Sequence, residues 1–137
     1  MKTTPHTTNY FNTFIEISVD CPVVVPVLPP VKGENPTIAN LHFDMIAQHP
    51  YRYSSDDVVF GTYARKNDMV SNLEHEQALF FSKGQPCLRC SPLTKRYGWG
   101  IHCNAEGRVA VHGIGTMEYQ RFADDPALKH VRAMRNK

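Results

Sequence analysis

Residues that could do chemistry are concentrated in the segment 80–103. Two thiols, Cys87 and Cys90, stand at C-x2-C spacing, and His102 and Cys103 follow them. Four such ligands suit zinc in principle. However, His102 and Cys103 are neighbours in a predicted strand, so their side chains point to opposite faces and only one of them can join the pair. The spacing therefore predicts no metal site, and no cofactor is expected.

Cys87 is also the candidate nucleophile of this segment, with His102 as its general base. The nearby cations Lys83 and Arg89 would favour the thiolate form. A thioredoxin-type pair needs its first thiol at a helix N-terminus, whereas prolines on both sides of the C-x2-C pair predict a loop. A half-buried thiol without a chemical role is the simpler interpretation. A Cys/His-dependent hydrolase or transferase using Cys87 or His102 is therefore the alternative function, and a non-catalytic role is favoured.

The same segment is strongly basic, because residues 77–105 contain no Asp or Glu. Arginine can bind a phosphate or carboxylate through two parallel hydrogen bonds, and glycines at 84, 98 and 100 let backbone amides approach an anion. Unpaired cations repel by about 1 kcal/mol or more per pair near a surface. We therefore predict a site for a small anionic ligand or an acidic partner, formed by Lys83, Gln85, Arg89, Lys95, Arg96, Tyr97, Trp99 and His102.

Three sources could neutralise these cations: the acidic N-terminal half of the chain, solvent, or a ligand. An acidic side chain from a second subunit would act as the ligand in a homodimer. The specific hypothesis is that Lys83, Arg89 and Arg96 converge near Trp99 and His102. In the alternative interpretation the aromatic residues belong to the core and the cations form a solvated face.

Composition places the chain among ordinary globular proteins. With 137 residues, 42% hydrophobic and 20% charged, it is expected to form one domain over residues 1–137. No apolar run approaches the roughly 20 residues of a membrane span, and the N-terminus lacks the apolar core of a signal peptide. A cytoplasmic protein with reduced thiols and no membrane contact is therefore expected. Nucleic acid is not an expected partner at a net charge of +2.

The charge is unevenly distributed along the chain. Residues 1–82 hold five Lys and Arg against nine Asp and Glu, whereas residues 83–137 hold ten against four. Mutual attraction of the two halves in the folded domain would flatten this asymmetry. An exposed basic face for an anion is the functional interpretation.

Local patterns predict an α+β fold: a single domain with an antiparallel sheet and helices packed mainly on one face. Residues 1–9 are predicted to be flexible, and the proline-rich residues 22–36 to form an extended strap. Alternation predicts a strand at 11–19 and a hairpin of 95–102 with 108–112. Caps and periodicity predict helices that begin at Thr37 and at Ser54 or Ser55, and a helix over 73–82 with a left-handed Gly84 beyond it. Two tail helices are predicted to begin at Thr116 and Asp125. Asp56 and Asp57 are interpreted as residues of a helix first turn.

The runs from Phe80 to Arg89 and from Ser91 to His102 resemble those of an uncharacterised family of small bacterial proteins, a domain of unknown function. The likeness covers nearly the whole chain and implies no activity. In the family pattern, positions 90 and 103 hold serine or another small polar residue, so the cysteines here depart from it and further disfavour a four-ligand metal site. The Ser-x-Gly-x-Pro turn at 82–86 is similar, more faintly, to frataxin-like, iron-chaperone-related proteins. That similarity implies a fold and, as a further alternative, metal handling.

Overall fold

The computed structural model describes residues 6–137, so the predicted flexibility of residues 1–9 lies partly outside them. The described chain forms one mixed sheet, five α-helices and a 3₁₀ turn. The strands are β1 (Thr13–Glu16), β2 (Trp99–Cys103), β3 (Val109–Gly113) and β4 (Lys129–Arg132). The helices are α1 (Ile38–Ala47), α2 (Ser55–Lys66), α3 (Leu73–Phe80), α4 (Pro92–Arg96) and α5 (Met117–Ala123), and the 3₁₀ turn is Leu88–Cys90.

The strands are ordered β3-β2-β1-β4 across the sheet. The β2–β3 pair is the predicted antiparallel hairpin, with Ile101 opposite Val111, and β1 pairs antiparallel with β2. β4 then joins the outer edge of β1 in parallel, with Ile15 opposite Val131. The predicted single α+β domain is confirmed, and its sheet is mixed because of this parallel pair.

N-cap residues fix the starts of α1 and α2, two helices that together line a cavity. The Thr37 hydroxyl accepts a hydrogen bond from the Asn40 amide at the start of α1, and the Ser54 hydroxyl accepts one from the Asp57 amide at the start of α2. The carboxylate of Asp56 accepts hydrogen bonds from the amide and the hydroxyl of Thr8. Both acidic residues therefore stabilise the first turn of α2, as predicted.

The two faces of the sheet are covered unequally. One face carries Ile15, Ile101 and Val109, which are fully buried in the main core under α1, α2 and α4. The opposite face carries Phe14, whose ring lies 5.0 Å from that of Tyr119 on α5. Most helices therefore pack on one face, as expected, and α5 alone among the described helices closes the other.

The last predicted helix is wrong, because residues 129–132 form strand β4. Apolar residues at 128, 131 and 134 fit helical spacing, but the chain buries Val131 and Ala133, two residues apart, against the core. Asp125 instead makes a turn in which its carboxylate accepts a hydrogen bond from the Ala127 amide.

Two further local predictions need correction. Lys95 and Arg96 end helix α4 rather than begin a strand, because Ser91 caps that helix and Pro92 occupies its first position. Gly84 is not left-handed; the glycine with φ +82° is Gly98, where a Cβ would lie 2.8 Å from the carbonyl oxygen of Val25. At Gly100 a Cβ would lie 2.7 Å from the rings of Phe14 and Tyr119. These last two glycines therefore serve packing within the domain.

Residues 22–36 contain neither helix nor strand and lie along the hairpin. The Val27 amide donates to the Tyr97 carbonyl, and the indole Nε1 of Trp99 donates to the Val27 carbonyl at 2.9 Å. The Trp99 ring also packs edge-on against Phe43, 5.2 Å away. Within residues 6–137, no helix has the length and apolar character that crossing a membrane requires.

Candidate functional site

A basic cavity of about 550 Å³ lies between the 3₁₀ turn and the C-terminal residues. Four cationic residues line it, and no Asp or Glu of the described chain does. The other lining residues are a valine, an alanine and a methionine. The full lining of this basic cavity is Val19, Arg89, Arg132, Ala133, Met134, Arg135 and Lys137.

The backbone of the C-terminal residues places these cations. The Arg89 Nε donates to the Arg132 carbonyl at 2.6 Å, and the Met134 amide donates to the Arg89 carbonyl at 2.8 Å. Arg132 also donates from Nη1 to the Ile17 carbonyl at 3.4 Å. All of these acceptors are neutral carbonyls, so the bonds position the guanidinium groups without cancelling their charge.

Asp20 anchors the end of the chain beside the basic cavity. Its carboxylate accepts hydrogen bonds from the backbone amides of Asn136 and Lys137 and from the Ser18 hydroxyl. The Ser18 hydroxyl, followed by the Asn136 amide, holds the pKa of Asp20 well below its usual range. Asp20 therefore stays ionised and positions the tail, although it does not line the cavity.

The only ion pair within residues 6–137 is Asp44–Arg65, at 3.2 Å on the surface. The acidic N-terminal half therefore does not neutralise the basic segment through direct pairs. Within the described residues, the cations of the basic cavity therefore form no ion pair.

An apolar cavity of about 480 Å³ lies on the other side of the same turn, between α1, α2 and residues 85–91. Aliphatic and aromatic side chains form most of its wall. Its lining is Ile38, His42, Val59, Thr62, Tyr63, Lys66, Phe80, Gln85, Pro86, Cys87, Leu88, Cys90 and Ser91. Arg89, between Leu88 and Cys90 in sequence, lines the basic cavity instead. The 3₁₀ turn thus separates two cavities of different chemistry.

A buried polar pair is built into the apolar wall. His42 Nδ1 shares a 2.8 Å hydrogen bond with the Ser91 hydroxyl, and both side chains are buried. Burial lowers the pKa of His42 to about 4, so its imidazole is neutral at pH 7 and a weak base. Thr62, 6% exposed, has a hydroxyl without a hydrogen-bond partner in the described chain.

Burial affects the Cys103 thiol and the tyrosine that lies beside Cys87. Tyr10 Oη lies 3.4 Å from the Cys87 sulfur, and burial, with Cys87 as a smaller cause, raises the pKa of Tyr10 to about 12. Burial also raises the pKa of Cys103 to about 12. A thiol with so high a pKa holds its proton at neutral pH and is a poor nucleophile. Among the described residues, no group of three or more His, Cys, Asp or Glu is arranged to hold a metal ion.

His102 lies on the other face of the sheet from Trp99 and Cys103, next to α5. Its Nδ1 shares a 2.8 Å hydrogen bond with the hydroxyl of Tyr51, which also lies 3.3 Å from His112 Nε2. Its ring stacks on Phe122 at 4.1 Å. Burial lowers the pKa of His102. The structure therefore does not bring His102 to Cys87 as a general base.

The predicted anion site is not assembled as expected. Lys83 borders a cavity of about 390 Å³ together with Glu76, and Gln85 donates to the Phe80 carbonyl and borders both that cavity and the apolar one. Arg96 donates from Nε to Asn136 Oδ1, and Asn136 Nδ2 donates to the Lys95 carbonyl. The described contacts do not bring Lys83, Arg89 and Arg96 together near Trp99 and His102, and the two aromatics, Tyr97 and Trp99, pack against the core.

Arg89 is the one residue of the predicted set that lines the basic cavity. The prediction missed its partners Arg132, Arg135 and Lys137, because the tail was taken for a helix with a solvated outer face. A signal was present in the sequence, since residues 129–137 hold four cations and no carboxylate.

Comparison with known proteins adds a family but no activity. No curated protein and no solved structure matches the chain. The family of unknown function DUF6157 matches residues 5–137, which is nearly the whole chain. The resemblance drawn from the 80–102 motif is thereby confirmed, and the chain belongs to the family of unknown function DUF6157.

Proposed function

We propose that this protein is a cytoplasmic, non-catalytic binding protein whose basic cavity holds a small anion. One observation carries the proposal: four cationic residues surround about 550 Å³, and no Asp or Glu of residues 6–137 lines that space. Each guanidinium can present two parallel N–H donors to a phosphate or carboxylate. A ligand of this class would therefore satisfy both the charge and the geometry of the cavity.

Charge repulsion supports an occupant. Like charges a few ångströms apart near a protein surface repel by about 1 kcal/mol or more per pair. The Arg89 Nε and the Arg132 Nη1 donate to carbonyl oxygens, and neither guanidinium forms an ion pair within residues 6–137, so a bound anion would offset this repulsion. The cations are confined to one cavity rather than spread along a stripe, which favours a small anion over nucleic acid.

The chemistry of the other polar groups favours binding over catalysis. His42 is a weak base because its pKa is about 4. The Cys103 thiol has a raised pKa, and the pair proposed for nucleophilic catalysis, Cys87 and His102, is not in hydrogen-bond contact. Catalysis by Cys87 and His102 would require these two side chains to move into contact, whereas a non-catalytic binding role requires no such movement.

Inorganic phosphate is the probe that tests this proposal, measured by calorimetric titration at constant ionic strength. We expect Arg135→Ala to weaken phosphate binding at least about tenfold, because one charge-assisted contact contributes about 1.5–3 kcal/mol. Arg121→Ala is the matched control, because Arg121 is exposed on α5 and outside the cavity.

Constant ionic strength separates specific binding from general screening of surface charge. Equal phosphate affinity in the wild-type protein and both variants would contradict the proposal. So would an absence of phosphate binding that persists when sulfate, citrate and small carboxylates replace phosphate. An acidic side chain of a second subunit in the cavity would appear as a dimer that phosphate dissociates.

A further inference from the structure

We infer that the apolar cavity is a second binding site, for a small amphipathic carboxylate whose chain lies between the α1–α2 pair and residues 85–91 and whose carboxylate meets Lys66. The inference goes beyond the proposed anion site, because it uses a different cavity on the other side of the 3₁₀ turn. It stands on the shape of that cavity, on the chemistry of its wall, and on the position of its charge.

The volume of the apolar cavity suits a small organic molecule. Ligand pockets in proteins usually enclose about 300–1,000 Å³ and are lined mainly by apolar side chains with a few polar groups. This cavity encloses about 480 Å³, and its apolar wall includes Ile38, Val59 and Phe80. A saturated chain or a ring would therefore displace water from an apolar surface on entering.

The polar groups of the wall select against a cation. His42 is buried and shares its hydrogen bond with Ser91, so this pair brings no net charge to the cavity at neutral pH. Lys66 is the only lining residue with a formal charge in the part of the chain that the structure describes. A negative end group would therefore find one opposite charge and no like charge in the wall.

Lys66 is placed to act at the mouth of the cavity. It is the last residue of α2 and is exposed, and its Nζ donates to the Pro36 carbonyl at 3.1 Å. Its aliphatic stem can cover apolar surface while the ammonium stays in water, as lysine side chains commonly do. A bound chain can thus be buried while its carboxylate remains hydrated beside Lys66.

Octanoate and octanol are the probes that test this inference, because they share one alkyl chain and differ in the charge of the end group. Binding is measured by calorimetry and by the rate at which iodoacetamide alkylates Cys90, which is exposed and lines the cavity. Peptide mass spectrometry compares Cys90 with Cys21, a half-buried thiol outside the cavity, as an internal reference.

We expect octanoate to bind about two- to fivefold more tightly than octanol, the ratio that an ion pair with an exposed lysine gives. It should slow alkylation of Cys90 and leave that of Cys21 unchanged. Lys66→Met should remove the preference for octanoate while octanol binds as before. Lys32→Met is the matched control, because Lys32 is an exposed lysine outside the cavity.

Arg135→Ala separates this inference from the proposed anion site, because it should leave octanoate binding unchanged. Octanoate binding that disappears in Arg135→Ala would assign the carboxylate to the basic cavity and overturn the inference. Equal binding of octanoate and octanol, equal slowing at Cys90 and Cys21, or a Lys66→Met protein that keeps the preference would also overturn it.

Discussion

The basic cavity and the apolar cavity share one wall and differ in the charge and polarity of the other residues that line them. The 3₁₀ turn Leu88–Cys90 stands between them, with Leu88 and Cys90 on the apolar side and Arg89 on the basic side. The basic cavity has cations held by carbonyl oxygens near the end of the chain. The apolar cavity has a neutral histidine buried between helices.

This difference shows how a short turn can separate two binding chemistries. In a 3₁₀ turn, successive side chains point about 120° apart, so neighbouring residues reach different sides. In the apolar cavity desolvation sets the charge state, because burial keeps His42 uncharged. In the basic cavity solvent and salt set the strength of the charge interactions, because they screen exposed cations. Substitutions in the two cavities should therefore respond to different conditions.

The largest expected effect comes from breaking the shared wall. Leu88 is 1% exposed and belongs to the main core, so Leu88→Ala removes packed methyl groups and should lower the free energy of unfolding by about 2–5 kcal/mol. Urea denaturation measures this loss. Cys90→Ala, at an exposed position of the same turn, should stay within about 0.5 kcal/mol of the wild type. Equal effects at the two positions would show that the turn is not packed as a wall.

The apolar cavity should make the protein sensitive to acid. The folded-state pKa of His42 is about 4 and its ordinary value is 6.5, so the unfolded chain binds a proton first as the pH falls. This contribution is therefore complete above pH 6.5 and is lost as the pH falls towards 4, by about 3 kcal/mol in the free energy of unfolding. His42→Asn should flatten the pH dependence of urea denaturation over this range.

Two comparisons sharpen that acid experiment. His75→Asn is the matched control, because His75 is exposed on α3 and its removal should leave the pH dependence unchanged. His102 and His112 have lowered pKa values for the same reason, burial, so some acid sensitivity should remain in His42→Asn. A His42→Asn protein with the full wild-type acid response would refute the buried, neutral imidazole.

A smaller effect of opposite sign is expected at Thr62. Its buried hydroxyl lacks a partner in the described chain, so Thr62→Val should raise the free energy of unfolding by about 1 kcal/mol. Thr94 is the control: it is equally buried, but its hydroxyl donates to the Ser91 carbonyl, so Thr94→Val should be destabilising by about the same amount. Thermal unfolding of the two variants should therefore move in opposite directions.

Local sequence signals predicted much of the fold but little of either cavity. Thr37 and Ser54 correctly indicated the starts of α1 and α2, because a helix cap depends on residues only three positions away. The hairpin was predicted from the alternation of apolar and polar residues. Strand β4 was missed because its pairing with β1 joins residues more than a hundred positions apart. No local pattern encodes such a contact.

The cavities were hidden for the same reason. The basic cavity combines Val19 and Arg89 with five of residues 132–137, and the apolar cavity combines α1, α2 and residues 85–91. The carboxylate-free segment drew attention to Arg89, yet its other cations, Lys83, Lys95 and Arg96, line neither cavity. Composition can indicate an excess of charge, but only the fold decides which charges meet.

One nuclear magnetic resonance experiment tests the separation of the two cavities most directly. Phosphate and octanoate are titrated in turn into the ¹⁵N-labelled protein, and the amide shifts of Arg135 and Lys137 are compared with those of Thr62 and Lys66. The account predicts that phosphate shifts the first pair alone and octanoate the second pair alone. Both ligands shifting the same pair, or neither shifting any of the four amides, would contradict two binding cavities on opposite sides of one turn.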